Sequence, residues 1–211
     1  MRQVPSAKSP RLLALSGPGL ERSDEVEMAI RAAIQFSGIA VPKVGLPQIG
    51  SYFAAWEAIL HCEATAYHQE RLAVAPEGFS PVTRAHLEAG RQLRAEEYLH
   101  AQKIRSAFAD HLLNGLGEWD ALVLPTLPVV APRIGDDGQE FGGRRVTTQD
   151  SMTWFCWLGI LAGLPSITIP VPNPASGLPV GMMLMGRPGQ DEELLAIAKL
   201  LDQRINSGGQ R

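Results

Sequence analysis

Five histidines are the side chains that first suggest metal chemistry in this sequence of 211 residues. His61 and His68 lie two turns apart on one predicted helix, with Glu63 close by. Helical residues that share one ion usually stand three or four positions apart, and the sequence contains neither an HExxH nor a CxxC motif. We therefore expect neither a metal centre nor another cofactor.

Nucleotide and hydrolase motifs are incomplete in the same way. Gly17-Pro18-Gly19 follows a predicted strand but lacks the third glycine of a dinucleotide loop, and no P-loop lysine occurs. The sequence also lacks the GxSxG turn that presents a nucleophilic serine. Cys156 stands between aromatic residues, which is typical of core packing. The residues alone therefore indicate no catalytic centre.

Composition and charge exclude several classes of protein. The chain is 45% hydrophobic and carries 19 basic against 22 acidic side chains, which is typical of a globular protein and neither disordered nor membrane-spanning. Its slight acidity disfavours a nucleic-acid partner. Cys62 and Cys156 do not suggest a disulfide framework, and the apolar run 12–15 is too short for a signal peptide. We expect a cytoplasmic protein without nucleic-acid or membrane partners.

The N-terminal elements predict the fold class. Residues 11–15 have the pattern of a strand, Ser23 can cap a helix that ends at Gly38, and residues 39–44 are β-like. A strand, a helix and a strand in this order favour a right-handed parallel crossover. The sequence therefore predicts an α/β domain, which we expect to span 11–205 between flexible ends at 1–10 and 206–211.

The middle of the chain predicts three helices. The first covers about 52–69, and a stripe of Trp56, Leu60 and Tyr67 predicts that Glu63 is partly buried. The second begins at Ser80-Pro81 and is predicted to be interrupted at Gly90. The third covers about 95–114. Its Arg105 shares a face with apolar side chains and should point toward, or along the edge of, whatever that helix contacts.

The C-terminal region predicts a return to sheet. Residues 120–126 are apolar without alternation, as expected for a central strand. The glycine-rich stretch 135–145 predicts a mobile surface loop, and 152–161 an apolar helix. Strands at 166–171 and 180–185 and a helix at 191–203 complete the prediction.

Four segments of this sequence resemble the amidase signature family. DALVLPTLPVVAP at 120–132 is similar to the family's DALL-PT-P-AP segment. LAGLPSITIP at 161–170 and GLPVGMMLMGRP at 177–188 match its C-terminal motifs, and YLHAQKIR at 98–105 extends the likeness upstream. The resemblance covers nearly the whole chain. It implies the C-terminal part of the amidase signature fold, a mixed sheet flanked by helices on both faces.

The resemblance also implies amide hydrolysis by residues that this sequence lacks. The family uses a serine nucleophile, a second serine with a cis peptide bond, and a lysine, all before the segment that corresponds to Arg11. This sequence has no Ser-Ser dipeptide, and none of its four lysines stands in the family's lysine motif. An acyl-enzyme cannot form without a nucleophile and its base. We therefore expect the isolated chain to be inactive.

The expected role is then scaffold and pocket wall for a small amide substrate, alongside a separate N-terminal half that carries the serine and lysine signature. A truncated or decayed gene product is a second interpretation. A third is a non-catalytic binding or regulatory module derived from an amidase.

Three residues are candidates for substrate binding. Arg105 matches an arginine that contacts the glutamine carboxylate in the tRNA-dependent amidotransferase branch, a role that suits its geometry. Thr153 stands where that branch has an acidic residue, a departure that Asp150 could compensate. Trp154 suits a pocket for apolar or aryl amides. The alternatives are an ion pair of Arg105 with Glu63 or another carboxylate, and core packing for Trp154, Phe155 and Trp157.

Overall fold

The computed structural model describes residues 9–46 and 49–206, which form two compact units. One, the sheet unit, comprises Met1–Pro47 and Leu113–Arg211; the other, the helical unit, comprises Gln48–Leu112. The predicted flexible ends at 1–10 and 206–211 lie outside the described residues, except for 9, 10 and 206.

The sheet unit is built on a five-stranded mixed sheet. In chain order its elements are β1 (Leu12–Ser16), α1 (Asp24–Ser37), β2 (Lys43–Gly45), β3 (Ala121–Pro125), β4 (Gly138–Phe141), β5 (Arg144–Thr147), α5 (Thr148–Thr153), α6 (Cys156–Ala162), β6 (Ser166–Val171), β7 (Val180–Gly186) and α7 (Asp191–Asn206). The strand order is β2-β1-β3-β7-β6. β1 is parallel to β2 and β3, whereas β7 is antiparallel to β3 and β6. The α/β mixed sheet and its parallel crossover are confirmed.

Local signals explain the position of α1. The Ser23 hydroxyl accepts a hydrogen bond from the Val26 amide, and Gly38 ends the helix with a φ of 65°. A positive φ of this kind is strained for residues other than glycine. α1 packs with α7 over one face of the sheet, where Val26, Leu184 and Leu201 belong to one buried cluster.

The opposite face of the sheet carries α6. A Cβ at Gly159 would stand 2.7 Å from the Ser166 hydroxyl, so glycine lets this short helix approach β6 closely. The single helix predicted at 152–161 is wrong, because the chain breaks at Trp154 and Phe155 into α5 and α6. At the free edge of the sheet, β6 contains Pro170, whose carbonyl accepts a hydrogen bond from Asn206 Nδ2 at 3.0 Å.

The surface loop predicted at 135–145 contains most of a β-hairpin, formed by the antiparallel strands β4 and β5. Gly142 and Gly143 connect the strands with φ values of 58° and 74°. Two consecutive positive φ values define the tight turn that matches the twist of a hairpin, and a Gly-Gly pair adopts them without strain. The prediction of a loop is therefore wrong for residues 138–145, because the two glycines form the turn of a hairpin.

The helical unit contains α2 (Ile49–Val74), a 3₁₀ turn (Pro76–Gly78), α3 (Pro81–Gln92) and α4 (Ala95–Asp110), which a π turn (His111–Gly115) follows. Gly90 does not interrupt α3. A Cβ there would stand 2.2 Å from both the His61 carbonyl oxygen and the Thr65 hydroxyl, so this glycine allows close packing on α2. The Thr65 hydroxyl donates to the Leu87 carbonyl at 2.7 Å.

The apolar stripe predicted on α2 is wrong. Tyr67 is 84% exposed, and Glu63 is exposed as well. The buried positions of α2 are instead Ala55, Ile59, Thr65 and Leu72. Among the described residues, no helix combines the length and the apolar character needed to cross a membrane.

Candidate functional site

An open groove in the sheet unit begins where β3 ends. Its volume is about 410 Å³, and its walls include Val129, Pro132, Met152 and Pro170. These apolar side chains suit the body of an apolar or aryl ligand. We refer to it as the β3 groove.

Two hydroxyls provide a polar point in the β3 groove. Thr126 Oγ1 and Thr168 Oγ1 lie 2.9 Å apart and hydrogen-bond to each other. Both residues line the groove, together with Gly181 of the intervening strand β7. A Cβ at Gly181 would stand 2.6 Å from Thr126 Oγ1, so glycine leaves room for the pair. Hydroxyls donate and accept, and the two together can bind both the carbonyl and the N–H of an amide.

The sequence did not identify this threonine pair as a site. Thr126 lies in the DALVLPTLPVVAP segment and Thr168 in the LAGLPSITIP segment, 42 residues away. The available signal was that two matched segments each place a threonine in or at the end of a predicted strand.

Thr153 ends α5 beside the β3 groove, because its neighbour Met152 lines the groove. Thr153 is exposed, and its hydroxyl donates to the Asp150 carbonyl at 3.2 Å. Asp150, the predicted substitute for the missing acidic residue, is also exposed, and its amide donates to the Thr147 hydroxyl at 3.0 Å. Thr153 itself is not among the groove-lining residues.

Trp154 contacts the β4–β5 hairpin. The Arg144 guanidinium lies 4.7 Å above its ring, and the ring of Phe141 meets it edge-on at 5.1 Å. Its indole Nε1 is buried without a hydrogen-bond partner among the described residues. The neighbouring Phe155 and Trp157 are fully or almost fully buried, as their core-packing alternative expected.

Arg144 joins this hairpin to the loop that follows β1. It forms an ion pair with Glu21, which also accepts a hydrogen bond from the Gly19 amide at 2.9 Å. Burial on its own would raise the pKa of Glu21, but the amide of Gly19 and the charge of Arg144 hold that pKa below its usual range. The Gly17-Pro18-Gly19 turn is thus part of a structural network rather than a phosphate loop.

Arg105 lies on α4, in the helical unit, and is partly buried. On the same helix, Ala101 and Phe108 are buried, as its predicted apolar face requires. Glu63 accepts hydrogen bonds from Tyr98 Oη at 2.8 Å and from Gln102 Nε2 at 3.5 Å. The hydrogen bond from Tyr98 to this carboxylate raises the pKa of the phenol.

Metal-binding and nucleophilic groups are spread across residues 9–46 and 49–206. Within these ranges, no three His, Cys, Asp or Glu side chains lie close enough together to hold a metal ion. Burial raises the pKa of the Cys156 thiol, which makes it a weaker nucleophile. The described serine hydroxyls that form hydrogen bonds do so with backbone groups, Thr83, Asn173 or Glu25, and none does so with a lysine or histidine.

Several known proteins are similar to this chain in sequence. The model of the family described as Amidase matches residues 29–195. An amidase of Pseudomonas putida is 31% identical over 191 residues, which is 89% of this chain and 41% of that protein. A glutamyl-tRNA(Gln) amidotransferase subunit of Myxococcus xanthus is 34% identical over 106 residues, covering 50% of this chain and 21% of its own length.

A crystal structure of an amidase superposes with a TM-score of 0.85 and is 28% identical, over 95% of this chain and 47% of that one. The chain therefore spans less than half the length of these relatives.

Proposed function

This chain belongs to the amidase family, and from that premise we propose that it supplies the scaffold and one wall of the amide-binding pocket in an amidase-type hydrolase. The serine nucleophile, the second serine and the lysine come from a separate polypeptide. Alone, the chain hydrolyses no amide. Its expected compartment is the cytoplasm, where the free thiols of Cys62 and Cys156 stay reduced.

The observation that carries this proposal is an apolar groove whose lining residues include two hydroxyls but no lysine or histidine that could activate them as a base. The β3 groove offers apolar walls and the hydroxyl pair of Thr126 and Thr168. Amide hydrolysis through an acyl-enzyme also needs a nucleophile within hydrogen-bond reach of its base. None of the four lysines stands in the family's lysine motif, and no Ser-Ser dipeptide occurs. Both facts support the absence of the catalytic serine and lysine from these residues.

The groove indicates a small substrate with an apolar or aryl body. Its side chains would contact that body and exclude water, while the threonine hydroxyls orient the amide plane toward the companion chain's serine. Pocket contacts of this kind position the reacting groups. We propose Thr153 and Trp154, in the sheet unit, as further substrate contacts in the assembled enzyme. Within the helical unit, we propose Arg105 as a contact for an anionic substituent, which its planar guanidinium suits.

The experiment compares the purified chain with its complex. A tagged full-length chain is purified from the organism that produces it, and proteins that copurify are identified by mass spectrometry. Both preparations are assayed for ammonia or aniline release from benzamide, acetanilide and glutamine. We expect no turnover by the chain alone, and turnover by a complex whose second member carries the serine and lysine signature.

Two variants connect turnover to the groove. Thr126→Val removes one hydroxyl at nearly constant volume and should lower kcat/KM of the complex at least tenfold. Thr83→Val, at an exposed threonine of α3, is the matched control and should leave it unchanged. Turnover by the chain alone that survives repurification would refute the proposal. An unrelated partner with no amide turnover in the complex would favour the binding-module interpretation instead.

A further inference from the structure

A second cavity in the sheet unit lies between α1 and the sheet. Its volume is about 150 Å³, and it shares no lining residue with the β3 groove. Ile30 and Ile34 of α1, Val41 and Val123 form apolar walls. The cavity is also lined by four charged residues, namely Arg22, Glu27, Arg31 and Lys43. We call it the Arg22 cavity.

The charges around the Arg22 cavity do not balance. Glu27 accepts a hydrogen bond from Arg22 Nε at 2.6 Å and one from Lys43 Nζ at 3.2 Å, and Arg31 Nη2 lies 3.6 Å from it. Burial on its own would raise the pKa of Glu27, but Arg22 and Lys43 hold that pKa below its usual range. Glu27 therefore remains ionised. Three cations facing one carboxylate leave two positive charges in excess.

The two Nη groups of Arg22 are available to bind a ligand. Its side chain is only 13% exposed, and it lines the cavity. Its Nε is used by Glu27, but neither Nη atom donates a hydrogen bond to any group in the part of the chain that the structure describes. A guanidinium carries five N–H donors in a planar fork, so both Nη groups are available to a ligand. Together with the excess of positive charge, this availability favours an anion beside the Nη atoms.

We propose that the Arg22 cavity is a binding site for a small monocarboxylate with an apolar body. The carboxylate would accept hydrogen bonds from the two Nη atoms of Arg22, since the fork of arginine matches a carboxylate. Lys43 and Arg31 add attraction at the mouth. The apolar body would lie against Ile30 and Ile34. A cavity of about 150 Å³ with apolar walls can hold a benzene-sized group, so one ring or a short branched chain fits.

The apolar walls favour a carboxylate over inorganic phosphate. A hydrated dianion without an apolar part gains nothing from Ile34 and Val41 and loses its own water there. This site uses none of the residues that the proposed hydrolase function needs. Its success or failure is therefore independent of that proposal.

The experiment measures binding of benzoate to the full chain by titration calorimetry and by chemical-shift changes. Benzamide, which has the same shape without the charge, and inorganic phosphate are the comparison probes. We expect benzoate to bind at millimolar concentration or below, and benzamide and phosphate to bind at least tenfold more weakly.

Three variants test the residues. Arg22→Gln should weaken benzoate binding at least tenfold. Lys43→Gln, at a side chain 57% exposed and therefore safe for folding, should weaken it about threefold. Arg91→Gln removes a positive charge elsewhere, at an arginine paired with Glu88, and should have no effect. The proposal is wrong if benzamide or phosphate binds as well as benzoate, or if Lys43→Gln and folded Arg22→Gln bind like the wild type.

Discussion

Replacing Gly90 with alanine tests the packing of α3 on α2. The new Cβ would stand 2.2 Å from the His61 carbonyl oxygen and 2.2 Å from Thr65 Oγ1. Atoms in folded proteins do not approach this closely. The helices must therefore separate to relieve the contact with the His61 carbonyl, and rotation of the Thr65 side chain would relieve only the other contact. Rotation would break the hydrogen bond from Thr65 to the Leu87 carbonyl.

The change in the free energy of unfolding has three contributions, of which two are destabilising and one is stabilising. Inserting a methyl group into a packed interior costs about 1 to 3 kcal/mol, and the upper end applies because a backbone carbonyl cannot rotate away. Losing the Thr65 hydrogen bond costs about 1 kcal/mol more. Alanine recovers about 1 kcal/mol through its better helix propensity. We therefore expect Gly90→Ala to lower the free energy of unfolding by about 3 kcal/mol.

Gly50→Ala is the matched control, because Gly50 also lies in a helix but nothing stands within 4 Å of its would-be Cβ. It should leave stability unchanged or raise it by up to about 1 kcal/mol. Urea unfolding followed by far-UV circular dichroism measures both variants. If Gly90→Ala proves as stable as Gly50→Ala, the close approach of α2 and α3 is refuted.

Three further predictions concern other contacts. Burial and the neighbouring His86, 3.2 Å away, lower the pKa of His61, so as the pH falls the unfolded chain binds a proton at a higher pH than the folded chain does. The stability of the helical unit should therefore fall as the pH drops below about 6.5. Hydrogen exchange of α2 as a function of pH measures this, and His86→Gln should make the dependence on pH weaker. Gly143→Val places a β-branched residue at a φ of 74° and should destabilise the hairpin by about 1 to 3 kcal/mol, visible as altered Trp fluorescence. Asn173→Ala removes a buried amide that donates to Glu25 at 2.7 Å and should cost about 1 to 3 kcal/mol in urea unfolding, whereas Ser176→Ala should cost less.

Signals confined to a few neighbouring residues predicted the elements of the sheet unit well. The Ser23 cap, the Gly38 stop and the apolar run of β3 each depend on local backbone geometry or on burial from both sides. These features fixed the strand-helix-strand order and the α/β class. The family resemblance supplied the mixed sheet.

Features that depend on tertiary neighbours were predicted poorly. On α2, small residues such as Ala55 are buried and the large ring of Tyr67 is exposed, so size and hydrophobicity misled the stripe prediction. Gly90 was interpreted as a helix breaker, although its role is set by the carbonyl of His61 on another helix. The Gly142-Gly143 pair is itself a sequence signal for a hairpin turn, whereas the prediction for this segment is a mobile loop.

The candidate site could be predicted only in part for the same reason. Thr153 was predicted from its position in a motif, and it lies next to a groove-lining residue. The hydroxyl pair of Thr126 and Thr168 exists because β7 lies between β3 and β6, and Gly181, which pairs with Pro170, has no side chain to fill the space between the two threonines. That register is a property of the folded sheet, and no local pattern encodes it.

Pro170 limits how far another chain can extend the sheet at β6. A proline nitrogen carries no hydrogen, and the carbonyl of this residue is already used by Asn206. An incoming strand would therefore find backbone partners along the first part of β6 and none at Pro170. A short docking strand can be accommodated there, whereas the long, repeated pairing that leads to fibres is blocked.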